Sequence, residues 1–227
     1  EDGFAWWKKR FCQMSTYFDA FRIDHILGFF RIWSIPIDAV QGIMGRFVPC
    51  LPVHINEFGE KGIWFDYQRF CKPFITDEVL AELFHDDAEK VKEQFLTPND
   101  FGSYDLLSAF DTQKKLEKYF DEQLTGNDLE HLRSGLYDLV SNVILFEEEG
   151  SQGQEFHFRI SMEKTSSFRH LIPHIQEKLK DLAVNYFFRR QDDFWFREAM
   201  HKLPQLKEAT NMLVCGEDLG MVPEFMD

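Results

Sequence analysis

Two short apolar segments, far apart in the chain, each end in charged residues followed by a glycine-containing turn. The first is Phe21-Arg22-Ile23-Asp24-His25-Ile26-Leu27-Gly28. The second is Leu213-Val214-Cys215-Gly216-Glu217-Asp218-Leu219-Gly220. An apolar run closed by a carboxylate is how a parallel β/α barrel presents reactive groups, at the C-terminal ends of its strands. Alternation along the first segment puts Arg22 and Asp24 on one face and Phe21 and Ile23 on the other. In a barrel, the charged pair would face the interior and the apolar pair would pack against helices. Asp24 and Glu217 are 193 residues apart. Either many strands intervene, or the middle of the chain is an insertion.

The intervening sequence favours insertion. An amphipathic helix is predicted over 4–18, with Trp7, Phe11, Met14 and Phe18 at helical spacing. Residues 26–51 are punctuated by Gly and Pro and read as irregular, with a short helix near 37–44. Charged helices follow. Thr76 caps 77–85, with Asp77 and Glu78 in the first turn. Further helices are predicted over 87–95, 112–124 and 128–141, the last behind a capping box of Asn127 and Glu130. Residues 97–105 read as a loop. Val143–Glu148 and Glu155–Ser161 form a hairpin candidate around Gly150-Ser151-Gln152-Gly153. A helix over 173–188 starts with Pro173 at its first position. Another over 191–203 stops near Pro204, and 211–216 reads as a second buried strand. The expected fold is mainly α with some β: a fragment of a (β/α)8 TIM-type barrel carrying a large helical insertion. The expected organisation is a barrel segment over 1–51, a mostly helical insertion over 52–190 and a second barrel segment over 191–227. Barrel strands without their neighbours would expose unpaired edges.

Charge narrows the partners. Against 25 Lys and Arg stand 39 Asp and Glu, a net −14, so nucleic acid and anionic membrane would be repelled. A neutral substrate is expected. Cys12, Cys50, Cys71 and Cys215 have no metal-type spacing and read as reduced thiols of a cytoplasmic protein. No run approaches eighteen apolar residues, and no signal peptide is visible. The chain starts Glu1-Asp2-Gly3 without Met, so it reads as a piece of something longer.

Phe21-Arg22-Ile23-Asp24-His25, with Glu217-Asp218-Leu219-Gly220 downstream and Gly3-Phe4-Ala5-Trp6-Trp7 upstream, resembles the 4-α-glucanotransferases of glycoside hydrolase family 77 (amylomaltase, or disproportionating enzyme). Arg22 through Pro36, Gly62-Ile63-Trp64 and Cys215–Gly220 are similar to its large-insertion, disproportionating enzyme 2 branch. The resemblance implies that Asp24 is the nucleophile and Glu217 the general acid/base. It places Arg22 and His25 around the cleavage point and Asp218 on the substrate side. It implies a third carboxylate in a Thr-His-Asp segment that this sequence does not contain, so the piece by itself is expected to be inactive. It implies no cofactor and no metal, and a maltose or α-glucan substrate.

Retention at an anomeric carbon requires two inversions through a covalent glycosyl-enzyme. Asp24 must be ionised to attack. Glu217 must start protonated, release the leaving sugar, and then activate the incoming hydroxyl. Arg22, on the face of Asp24, is placed to pair with it.

Plainer readings stand beside these. A strand-end Asp or Glu is more often a cap or an ion-pair partner. His25 is a substrate contact or a structural histidine, and Asp218 is a supporting or capping residue. Trp6, Trp33 and Trp64 pack in the core by default, with stacking on glucose as the alternative. Glu147-Glu148-Glu149 reads as a solvated hairpin end, and His170 with His174 as unconnected to any metal. Two alternatives to the transferase remain at this stage: an α-glucan hydrolase, and a non-catalytic helical interaction or oligomerisation module, with a homo-oligomer formed through the insertion.

Overall fold

The computed structural model describes residues 3–100, 102–122, 127–220 and 222. In chain order the elements are α1 (Ala5–Met14), β1 (Ala20–Ile23), β2 (Ile32–Ser34), β3 (Arg46–Val48), β4 (Val53–His54), α2 (Ile55–Glu60), α3 (Tyr67–Cys71), α4 (Asp77–Phe84), α5 (Ala88–Phe95), β5 (Leu96–Pro98), β6 (Tyr104–Leu106), α6 (Gln113–Asp121), α7 (Asn127–Val140), β7 (Leu145–Glu147), β8 (Glu155–Phe158), α8 (Ser166–Arg169), α9 (Pro173–Phe188), α10 (Arg190–Lys207) and β9 (Leu213–Gly216). Helices dominate, and among the described residues the strands form four small sheets.

The chain divides into two compact units. The first holds the described parts of Glu1–Trp33, Phe47–Leu51 and Val184–Asp227. Its sheet is the parallel pair β1–β9, in register from Ala20 opposite Leu213 to Ile23 opposite Gly216. Phe21 and Ile23 turn from that sheet onto a cluster of Phe11, Leu206 and Met212. The rings of Phe11 and Phe21 lie 4.7 Å apart. A second cluster joins Leu27, Phe30, Trp195 and Ala199. Trp195 donates its indole N–H to the Pro49 carbonyl at 2.8 Å, and the Gln191 amide both donates to and accepts from the Leu51 backbone.

The second unit holds Ser34–Arg46 and the described parts of Pro52–Ala183. The charged-helix block is real: Ile75, Val79, Leu80, Phe84, Leu116 and Leu136 are among its fully buried core. Thr76 caps α4, its hydroxyl accepting from Val79 N–H at 3.3 Å. The hairpin β7–β8 forms as expected, with Leu145 opposite Phe158. β4 joins it to make a three-stranded sheet, packed with Phe58, Phe65 and Phe70 around Phe156. A buried polar core ties these layers together. Arg159 donates to the Ser141 carbonyl at 2.7 Å, and Asn142 donates to Phe74 O and Ser166 Oγ.

Several expectations need correction. Residues 97–105 are not a plain loop: β5 and β6 pair antiparallel, Leu96 opposite Leu106. Their short, polar strands carry too little alternation for a strand signal. The predicted 37–44 helix reduces to a 3-10 turn over Gly42–Met44. Helix α10 runs through Pro204, which lacks only the one N–H of its own turn, while Leu206 is held in the core beyond it. The second strand is not buried. Every residue of β9 is exposed except half-buried Val214, and β1 is half exposed, because the pair has no further strand beside it among the described residues. Trp64 is 90% exposed and Trp6 58%, so neither packs in the core; the buried indole is Trp195. Glu147 and Glu148 are not idle surface charges. Glu147 accepts from Tyr67 O–H at 2.6 Å and Gly153 N–H at 2.7 Å, while Glu148 meets His157 and Arg46, each at 2.7 Å. The side chain of Asn127, and with it the predicted capping box, lies outside the described residues.

Candidate functional site

The parallel pairing of β1 with β9 places the residues that follow both strands at the same end of the sheet. Asp24 follows Ile23 directly, and Glu217 follows Gly216 directly. The ladder continues past the strand ends: Glu217 N–H donates to Ile23 O at 2.9 Å, and Ile26 N–H donates to Glu217 O at 3.0 Å. His25 N–H then donates to the Glu217 carboxylate at 3.1 Å. Three hydrogen bonds thus hold the Ile23–Ile26 segment against Glu217.

Backbone geometry makes this turn possible. His25 is left-handed at φ 52° and ψ 57°, which reverses the chain immediately after Asp24 and brings its N–H towards Glu217. Gly216 permits a close approach, since a Cβ there would sit 2.7 Å from Ile26 Cδ1 and force that side chain to shift. Neither feature is readable from the sequence, because both depend on a contact across nearly the whole chain.

Arg22 Nε donates to Asp24 Oδ1 at 2.8 Å, so the expected same-face pair forms. Both side chains are well exposed, 65% and 71%, and the pair orients Asp24 rather than contributing much to stability. His25 and Asp218 are exposed, and Glu217 is half-buried. Asp24, His25 and Glu217 come together at the strand ends, with Arg22 attached through Asp24. Asp218 is next in sequence to Glu217, and its side chain makes no hydrogen bond or ion pair with Arg22, Asp24, His25 or Glu217.

A few residues further along the chain is Arg31, which no sequence pattern singles out. It is 3% exposed, with its guanidinium 4.3 Å from the Phe47 ring centre and 4.4 Å from that of Trp195. Burial lowers it to about 10, with the charge of Asp192 opposing the shift. Its Nε has no hydrogen-bond partner. On the apolar face of the β1–β9 pair is a cavity of about 460 Å³, lined by Phe11, Phe21, Ile23, Leu203 and Val214 among others.

The model of glycoside hydrolase family 77, 4-alpha-glucanotransferase, matches residues 1–227. The chain belongs to that family. It is similar to the 4-alpha-glucanotransferase DPE2 of Oryza sativa subsp. japonica, at 36% identity over 98% of this chain and 24% of the rice protein. A chloroplastic/amyloplastic 4-alpha-glucanotransferase of Solanum tuberosum is 44% identical over 20% of this chain and 8% of its own length. A 4-alpha-glucanotransferase of Aquifex aeolicus is 32% identical over 41% of this chain and 20% of its own length. The chain therefore spans about a quarter, or less, of the length of these family members. No solved structure matches. Among the described residues, no helix is long and apolar enough to cross a membrane.

Proposed function

We propose that this chain carries the nucleophile and the acid/base of a retaining 4-α-glucanotransferase, which moves glucosyl units from maltose or maltodextrin to a glucan acceptor. The observation that supports this most is the β1–β9 pairing, which sets Asp24 and Glu217 after the C-terminal ends of adjacent parallel strands. Carboxyl groups on neighbouring strands suit the short separation that a covalent intermediate requires, about 5–5.5 Å.

In this reading Asp24 attacks the anomeric carbon while Glu217 protonates the departing glycosidic oxygen. The C–O bond to the leaving sugar breaks as the bond to Asp24 forms. Glu217 then takes the proton of the acceptor 4-hydroxyl, whose oxygen displaces Asp24. Arg22 holds the Asp24 carboxylate in one orientation, and the His25 N–H does the same for Glu217. The His25 ring and Asp218 would contact sugar hydroxyls.

The two strands belong, on this proposal, to a (β/α)8 barrel completed by residues outside this chain, and residues 52–190 are an insertion between them. Val184 and Phe188 on α9, and Ile172 just before it, are exposed apolar side chains. They support self-association through the helical block as a further part of the proposal. Light scattering on the parent protein tests it, and a monomer would count against it.

The deciding experiment incubates maltose with glycogen and compares the full-length parent with its Asp24→Asn variant. Glucose release without a rise in total reducing ends is expected of the parent, and its loss from the variant. Undiminished transfer by the variant would remove Asp24 from the mechanism. Net growth in reducing ends would make the enzyme a hydrolase.

A further inference from the structure

The second unit contains a cavity of about 330 Å³, lined by both polar and apolar side chains, that shares no residue with the carboxylate site described above. Small-molecule sites run from roughly 300 to 1,000 Å³, so the volume fits a ligand of one or two sugar rings. Its polar lining includes Asp66, Gln68, Lys72, Asn99 and Asp105. Phe74, Pro73 and Ile75 supply an apolar wall.

The wall is rigid. Arg69 lies 3.9 Å from the Phe74 ring centre and donates to both Oγ and the carbonyl of Ser167. Burial lowers Arg69 to about 10. Asn142 fixes the same wall, donating to Phe74 O at 2.7 Å and accepting from Ser167 N–H at 2.9 Å. Elsewhere in the lining, the Asn99 side-chain oxygen accepts from both the backbone N–H and the hydroxyl of Ser103, closing the β5–β6 turn.

The remaining polar groups are uncommitted or half-committed. Gln68 is exposed, and its amide bonds to no other described residue. Asp66 uses Oδ1 to accept from Arg69 N–H, and Asp105 uses Oδ1 to accept from Asn99. Each carboxylate keeps a second oxygen. The lining thus mixes acceptors with donors, and its two carboxylates balance the charges of Lys72 and Arg69. An anion would meet Asp66 and Asp105, and a cation would meet Lys72. A neutral ligand with adjacent hydroxyls can donate to the carboxylates, accept from Lys72 and the amides, and lay its apolar face on the wall.

The geometry points to a second saccharide-binding site in this cavity, taking the end of an α-glucan chain and separate from the Asp24–Glu217 site. The choice of an α-glucan among saccharides rests on the transferase reading. Such a site would tether a long glucan to the second unit and raise its local concentration.

The test titrates maltose into the 227-residue chain carrying Asp24→Asn and follows backbone amide shifts by NMR. Saturable shifts are expected in residues 66–76 and 99–105. Gln68→Ala with Lys72→Ala, both on exposed side chains, is expected to weaken them tenfold or more without altering thermal melting. Gln68→Glu, which keeps the shape but removes the amide donors, is expected to weaken them by less. Shifts confined to residues around Asp24 and Glu217 would overturn the proposal. So would shifts that survive the double substitution, or equal shifts with glycerol or inorganic phosphate at the same concentration. Maltose shifts in the cavity together with a parent enzyme inactive on maltose would support this site and sink the catalytic reading, so the two can fail separately.

Discussion

His25 and Glu217 meet across 192 residues of chain, the backbone N–H of one donating to the carboxylate of the other at 3.1 Å. The bond exists because β1 and β9 are direct neighbours and because His25 reverses the chain one residue after Asp24. It ties the position of the proposed acid/base to the turn that carries the proposed nucleophile.

Glu217→Gln retains an oxygen that can accept from His25 N–H but cannot shuttle a proton. Transfer by the parent should fall by about 10²–10⁴-fold. Thermal melting should stay within a degree or so of wild type. Glu217→Ala should lose the same activity and also lower the melting temperature. Equal melting temperatures for the two variants would show that the His25 bond contributes nothing to holding the turn.

Gly135→Ala in α7 tests packing against propensity. Alanine in a helix interior is worth about 1 kcal/mol over glycine. Here the added Cβ would lie 2.5 Å from the ring edge of Phe84, which is 2% exposed and cannot swing away. Overpacking costs about 1–3 kcal/mol, so net destabilisation is expected by urea titration. Pairing it with Phe84→Leu should recover part of the loss. A stabilised single variant would refute the contact.

Gln113 is 1% exposed and accepts from two successive backbone N–H groups, Val40 at 2.8 Å and Gln41 at 2.9 Å. It also donates to Tyr137 O at 3.1 Å. Gln113→Ala leaves those donors without partners, at about 1–3 kcal/mol for each buried group. Chemical denaturation should show a loss well above that of an ordinary surface substitution. Gln113→Glu keeps the acceptor but forfeits the donors and buries a charge, so it should not rescue.

His157 is fully buried between Glu148 and the β-sheet core, and burial together with the Arg46 charge lowers its affinity for a proton. Glu148 opposes this, but its Oε2 is shared with Arg46 at 2.7 Å, which weakens its pull on the imidazole. The unfolded chain therefore binds the proton more readily than the folded one. Stability from this residue is complete above the unfolded value, about 6.5, and declines as pH falls through it. Melting temperature should drop between pH 7 and 5, and His157→Gln should flatten that slope. An unchanged slope would mean that His157 is not its source.

Much of this molecule is legible in its sequence. Residue type and spacing mark the helices around Thr76 and Pro173, the β7–β8 hairpin and the two carboxylate-ended strands, because caps, prolines and alternation act within a few residues. The face assignment along β1 was also local: Phe21 and Ile23 do go to the apolar cluster, and Arg22 does pair with Asp24. Spacing alone allowed further strands of the same sheet between β1 and β9, and the helical pattern of the middle block favoured an insertion instead. Tertiary pairing decided that β1 and β9 are adjacent, through backbone bonds that carry no residue signature. The same holds for Gly216 against Ile26, for Arg31 between Phe47 and Trp195, and for the cavity beside Arg69 and Phe74. Each depends on groups brought together from distant parts of the chain. Local propensity sets the elements, whereas burial and long-range hydrogen bonding decide which of them touch.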